Sequence, residues 1–297
     1  MNKTAIGHHH AVQSGSAHPM TNKGNLIQLR ELDVDGARGP LAARLYTPAK
    51  LAVTSGLIVF FHQGGFIAGN LDDGEQFVQA LAICTGYRIL ASTYTLAGQS
   101  PFPAAVEDAY AVLAWASHHR NTLDWDGKQL ITAGIEAGGN LAAVSALMAR
   151  DRGGPALLAQ ILIMPMLDPG LNTCSMRTLT SDADTADLAN ACAAGYRGYL
   201  PCAADRTHPY ASPLQSSRLK NLPATLILSA ETDPLRDEAE QYGSNLIAAG
   251  TKTMVKRLPA THLQEPGGRC ECASADSVLN EIAAFIDGLK YPLKSTR

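Results

Sequence analysis

Between Gln129 and Asn140 the chain reads Gln-Leu-Ile-Thr-Ala-Gly-Ile-Glu-Ala-Gly-Gly-Asn, and this run limits the possible folds more than any other. An apolar stretch suited to a strand leads into Gly134-Ile135-Glu136-Ala137-Gly138, and a helix-forming run from Leu141 to Arg150 follows at once. A strand and a helix joined with no spare residues must approach each other closely. Gly134 and Gly138, two places either side of Glu136, permit that approach because neither carries a Cβ. The residue at the apex is then lifted above the sheet. In the pattern G-x-S-x-G, known as the nucleophile elbow, that residue is a serine. Here it is Glu136.

The rest of the chain alternates strand and helix around this turn. Ile27 to Val34 and Leu41 to Tyr46 read as two strands about the turn at Asp35-Gly36. Leu57 to Phe61 is wholly apolar, as expected of a strand buried on both faces of a parallel sheet. A helix is expected over about Asp72 to Cys84 and a strand over Tyr87 to Thr93. A helix should open at Pro101-Phe102-Pro103, and a buried strand covers Ile161 to Met164. Regular order returns with a strand at Ala224 to Ser229, a helix at Arg236 to Ala249, a strand at Lys252 to Leu258 and a last helix at Ala275 to Leu289. The expected fold class is α/β, with a doubly wound, mostly parallel sheet of about eight strands. Residues 166–221 break the pattern, with one helical piece near Ala186 to Tyr199, and read as an insertion over the sheet. The 297 residues are expected to form a single domain, in which residues 1–25 are an irregular arm or part of a lid.

Composition removes several classes of function. Hydrophobic residues make up 46% and charged residues 17%, enough to build a sizeable core. A net charge of −3 and a pI near 6.3 give no electrostatic case for nucleic acid or an anionic membrane. No apolar run reaches the roughly 18 residues of a membrane-spanning helix, and Met1 to Met20 lacks the apolar core of a secretory signal. The six cysteines follow no disulfide or zinc spacing, so reduced thiols in a cytoplasmic protein are expected. Neither a phosphate loop nor an H-E-x-x-H motif occurs, and no cofactor or metal is expected. His8-His9-His10 in the polar arm has no second ligand group beside it in sequence. The sequence leaves a homodimer open.

In an open α/β sheet, sites form at the carboxyl ends of strands. Four groups fall there. One is Glu136. The second is His62-Gln63-Gly64-Gly65, whose glycines let backbone N–H groups point at a developing negative charge; with the N–H of Ala137 they would form an oxyanion hole. The third is Asp233 in Glu231-Thr232-Asp233-Pro234, and the fourth is His262 in Ala260-Thr261-His262. Nucleophile position, acid, then histidine is the chain order of α/β-hydrolases, in which the acid orients the histidine and the histidine faces the elbow. Alone, Asp233 would read as a helix cap. His62 reads as part of the loop architecture, and His118, His119 and His208 as ordinary surface or cap histidines.

The longer blocks make a resemblance specific. His62-Gln63-Gly64-Gly65-Phe66 resembles HGGGF, and Gly134 to Asn140 resembles GDSAGGN. Tyr94-Thr95-Leu96-Ala97 with Pro101 to Asp108 resembles YRLAPE…PFPAAVED. Ala211-Ser212-Pro213-Leu214 and Asp233-Pro234-Leu235-Arg236-Asp237-Glu238 match further blocks. From about Arg44 to the C-terminus the chain is similar to the hormone-sensitive-lipase-like (bacterial family IV) esterases of the α/β-hydrolase fold. The resemblance implies Asp233 and His262 as triad members and Gly64, Gly65 and Ala137 as oxyanion donors. It also implies that residues 1–25 and 166–221 form a cap over the pocket for a small acyl-ester substrate.

The departures gather around the site. Glu136 replaces the serine, Gln63 the first loop glycine, and Thr95 and Gly98 the Arg and Pro of YRLAP. Leu263-Gln264 follow His262 where Gly-Phe is usual, and the loop from Pro266 to Cys272 is polar. A carboxylate at a helix N-terminus, near amide donors and His262, would favour its ionised form and tie up the base. It carries no proton for His262 to remove, and attack on an ester would yield a mixed anhydride. Three readings stand. The first is an esterase-type hydrolase with weak or absent ordinary activity. The second is a non-catalytic ligand-binding or sensor protein on the same scaffold. The third is a carboxylate-nucleophile hydrolase acting on an epoxide or alkyl halide.

Overall fold

The third strand, β3 (Leu57–Phe61), shows how the sheet is built, because all five of its residues are buried. Side chains alternate between faces along a strand. Accordingly, Leu57, Val59 and Phe61 enter the hydrophobic core on one face, and Ile58 and Phe60 enter the core on the other. The computed structural model describes residues 26–179, 183–261 and 272–290. It orders eight strands as β1 (Ile27–Asp35), β2 (Pro40–Pro48), β4 (Arg88–Ser92), β3, β5 (Leu130–Ile135), β6 (Ala159–Ile163), β7 (Ala224–Ala230) and β8 (Thr253–Leu258). The pairs β1/β2 and β2/β4 are antiparallel, and all five remaining pairs are parallel.

Helices cover both faces, as a sheet buried on two sides requires. The helices α2 (Ala104–His118), α3 (Ala137–Asp151) and α6 (Arg236–Ala248) pack into the first core. The helices α1 (Glu75–Thr85) and α7 (Ala275–Lys290) supply Val78, Leu81, Ile282 and Phe285 to the second. The elbow helix α3 is buried on every side: thirteen consecutive residues, Ala137 to Ala149, are shielded from solvent. Such a helix is a core element and not an amphipathic surface one. Its polar members are bonded in place. Asn140 Nδ2 donates to the carbonyls of Met166 and Ala211, and Ser145 Oγ donates to Ala142 O.

Two expectations shift. The first helix starts at Glu75, not near Asp72, because side chains capture the turn before it. Asn70 Oδ1 accepts from the Asp72 N–H, Asp73 Oδ2 accepts from the Asn70 N–H, and Gly74 takes a left-handed conformation. The segment 166–221 holds more helix than the one expected piece: α4 (Cys174–Leu179), α5 (Ala183–Tyr199) and 3₁₀ turns at Ala203–Thr207 and Pro213–Gln215. Tertiary bonds fix α4. Ser175 N–H donates to Asp237 Oδ2, and Ser175 Oγ donates to Pro234 O. Six residues held this way leave no periodic trace in the sequence. No described helix is long and apolar enough to cross a membrane. Residues 1–25, with His8-His9-His10, lie outside the described residues, as does His262.

Candidate active site

Strand β5 ends at Ile135, and the next residue turns sharply. Glu136 adopts φ 55° and ψ −114°, a conformation that a residue with a Cβ holds only under constraint from its surroundings. The flanking backbone supplies that constraint. A Cβ on Gly134 would stand 2.2 Å from the Gly138 carbonyl oxygen, and one on Gly138 would stand 2.0 Å from Phe61 O. The first turn of α3 thus rests backbone to backbone on β5 and β3, which only glycine allows. The backbone of Glu136 is fully engaged. Its N–H donates to Ile163 O at 3.0 Å, and its carbonyl accepts from the N–H groups of Asn140 and Met166, both at 3.1 Å.

The side chain is directed outward. Of residues 130–149, Glu136 is the one that is not buried. Its Oε2 accepts a hydrogen bond from the Gly64 N–H at 3.3 Å. Gly64 and Gly65 have φ values of 118° and 58°, and a Cβ on Gly64 would meet Ala68 O at 2.2 Å. The loop is closed by the Ile67 and Ala68 N–H groups donating to Gly64 O. Ala137 is the first residue of α3, so its N–H has no partner within the helix.

His62 anchors the loop from behind. Its ring stacks on Tyr94 with centroids 4.3 Å apart, and Nδ1 donates to Gln63 O at 2.6 Å. Tyr94 Oη donates to His62 O. Burial lowers the His62 pKa, the Gln63 carbonyl bond and the Asp73 charge opposing it. Burial, and then the Glu136 charge, raises that of Tyr94. His62 is therefore a structural ring of the loop, as its place in the sequence suggested.

Helix α5 closes over the same loop. A Cβ on Gly195 would stand 2.5 Å from Gly65 O, so this helix also meets the glycine loop backbone to backbone. Phe66 stacks on Tyr199 at 3.9 Å, and Tyr199 O accepts from the Phe102 N–H.

Asp233 is fully buried in the turn after β7. Its Oδ1 accepts from the Leu235 N–H at 3.0 Å, a turn that precedes the helix; the helix α6 itself starts from Leu235 with no side-chain cap bond, so Asp233 does not cap it. The chain after β8 is held beside this turn: Glu231 N–H donates to Leu258 O, and Glu231 Oε2 accepts from the Ala260 N–H. Thr261 is the last described residue before His262. The structure thus brings Glu136 and Gly64 into contact, with Gly65 and Ala137 adjoining them, and sets Asp233 at the end of a strand two places across the sheet.

Three polar residues matter more than the sequence indicated. Buried Asp108 accepts from the N–H groups of Ala37 and Thr95, tying the β1–β2 turn to the segment after β4. Buried Glu238 accepts from the N–H groups of Leu167 and Asp168. Asn140 holds Met166 O, and the Met166 N–H in turn reaches Glu136 O. All three lie in or beside the quoted blocks, yet only contacts across the fold disclose their work. Among the described residues, no group of three or more His, Cys, Asp or Glu converges to hold a metal ion.

A sequence profile for the family described as alpha/beta hydrolase fold matches residues 58–262. The chain is 33% identical over 233 residues to the esterase LipI of Mycobacterium tuberculosis, covering 77% of this chain and 72% of that one. It is 32% identical to the arylesterase of Saccharolobus solfataricus, covering 73% and 70%. A solved esterase structure from Pyrobaculum calidifontis superposes with a TM-score of 0.79 at 33% identity, over 89% of this chain and 85% of the other. The chain belongs to the α/β-hydrolase family. Within it, the chain is carboxylesterase-like.

Proposed function

We propose that this protein is a carboxylic-ester hydrolase scaffold for small acyl esters in which Glu136 stands at the nucleophile position, so that ordinary ester turnover is weak or absent. The observation that carries this reading is Glu136 itself: φ 55° at the apex of the strand–helix turn, with its carboxylate against the Gly64 N–H. Gly64, Gly65 and Ala137 are assigned as oxyanion donors, and Asp233 and His262 as acid and base. Residues 1–25 and 166–221 are assigned as the cap of a single domain, a reading that for 166–221 is supported by the packing of α5 on the glycine loop.

A carboxylate gives His262 no proton to remove. Losing the nucleophile of a serine hydrolase costs on the order of 10⁶ in turnover, or roughly 8 kcal/mol of barrier. Glu136→Ser supplies the missing hydroxyl at an apex already shaped for it. Hydrolysis of p-nitrophenyl butyrate should rise by about 10³-fold or more. A correctly folded Glu136→Ser protein with no gain would sink the reading.

A second reading, a ligand-binding protein that has left catalysis, is favoured by the Gly64–Glu136 bond, since one donor is already engaged. It expects no gain from serine and a saturable ligand. Attack by Glu136 on an epoxide or alkyl halide would instead leave a covalent adduct on Glu136, visible as a mass shift under turnover.

A further inference from the structure

The contact between Glu136 and Gly64 bears on what the site accepts. An esterase stabilises the negative oxygen of a tetrahedral intermediate with backbone N–H groups. Here the Gly64 N–H already meets a carboxylate oxygen. A carbonyl ligand would have to displace Oε2 and then build negative charge beside the carboxylate it displaced. Like charges brought together oppose binding. A carboxylic acid product would face the same repulsion.

A ligand of opposite polarity meets a prepared partner. The Glu136 side chain is oriented by the strained apex, held from behind by the Gly64 amide, and reaches the unburied side of an otherwise buried run. A carboxylate fixed in this way is an acceptor for N–H donors, and charge-assisted bonds of this kind are about twice as strong as neutral ones. We propose that the site has reversed the polarity of its ligand: it takes a protonated primary amine, seated on the Glu136 carboxylate, and disfavours carboxylates and ester carbonyls. This rests on the reading above that Glu136 occupies the nucleophile position among oxyanion donors.

The test uses two probes of equal chain length, n-butylammonium chloride and sodium butyrate, titrated calorimetrically into the full-length protein. Butylammonium should bind at least about tenfold more tightly than butyrate, the scale of one hydrogen bond to a charged group. Glu136→Gln, which keeps the shape and removes the charge, should abolish that preference. Glu136→Ser should reverse it, and it serves equally if the glutamine variant fails to fold. Three results would overturn the proposal: butyrate binding at least as tightly as butylammonium, butylammonium binding that Glu136→Gln leaves unchanged, or no saturable binding of either. Hydrolysis of p-nitrophenyl butyrate by Glu136→Ser reports separately on the parent reading. Activity there without amine binding to the unaltered protein defeats this inference alone. An inactive, folded Glu136→Ser protein defeats the esterase framework on which it stands.

Discussion

Glu136 holds a backbone conformation that its own side chain makes unfavourable. Strain of this kind is worth about 1–3 kcal/mol and persists only where neighbours over-determine it. Glycine is free of that penalty, because φ 55° and ψ −114° mirror an ordinary extended conformation. Comparing two truncations isolates the strain, since both remove the carboxylate. Glu136→Gly should be more stable than Glu136→Ala by about 1 kcal/mol, after allowing for the greater freedom of unfolded glycine. Urea unfolding measures the difference, and an alanine variant as stable as the glycine variant would show that the turn relaxes. A second prediction concerns His62. Its folded pKa lies below the model-peptide value of 6.5 because the ring is buried. As the pH falls below 6.5, the unfolded chain takes up this proton and the native protein does not. The stability that His62 contributes is therefore complete above 6.5 and is lost as the pH falls toward the lowered value. Replacing His62 by Asn should flatten the pH dependence of unfolding in that window.

Among elements, α5 and the glycine loop depend on each other. Gly195 faces Gly65 where any Cβ would enter the carbonyl oxygen. Gly195→Ala must push helix and loop apart, and overpacking of this sort costs about 1–3 kcal/mol. In a Glu136→Ser background it should also lower kcat for p-nitrophenyl butyrate more than it raises KM, since the displaced loop carries Gly64 and Gly65, proposed above as oxyanion donors. An unchanged kcat would show that the loop is positioned without α5. The elements also mark how far sequence reaches. Strand β3 was legible because burial on both faces demands an unbroken apolar run, and Leu57 to Phe61 supplies one. The strand–turn–helix of the elbow was legible because its glycines leave few alternatives. Helix α4 was not, because Asp237 and Pro234, distant in sequence, hold it. For the same reason Asp108 and Glu238 looked like ordinary acidic residues until their backbone partners were in view.

At the scale of the whole molecule, the sheet divides two cores, and the elbow stands near its middle. Strand β5 lies between β3 and β6, and α3 behind it is buried throughout. Such a region opens only with global unfolding, whereas an edge with exposed residues opens locally. Hydrogen exchange should therefore be slowest in β5 and α3. It should be faster in β1, where most residues are half-exposed or exposed. Comparable exchange in the two would mean that the elbow is not anchored in the stable core. Seen from this centre, the close backbone packing at Gly134 and Gly138 has a further meaning. The turn is imposed by what lies beneath and on either side of position 136, and nothing in that geometry consults the side chain placed there. One codon can exchange a hydroxyl for a carboxylate while the architecture stands, so what this fold does to a ligand can change far faster than what it is.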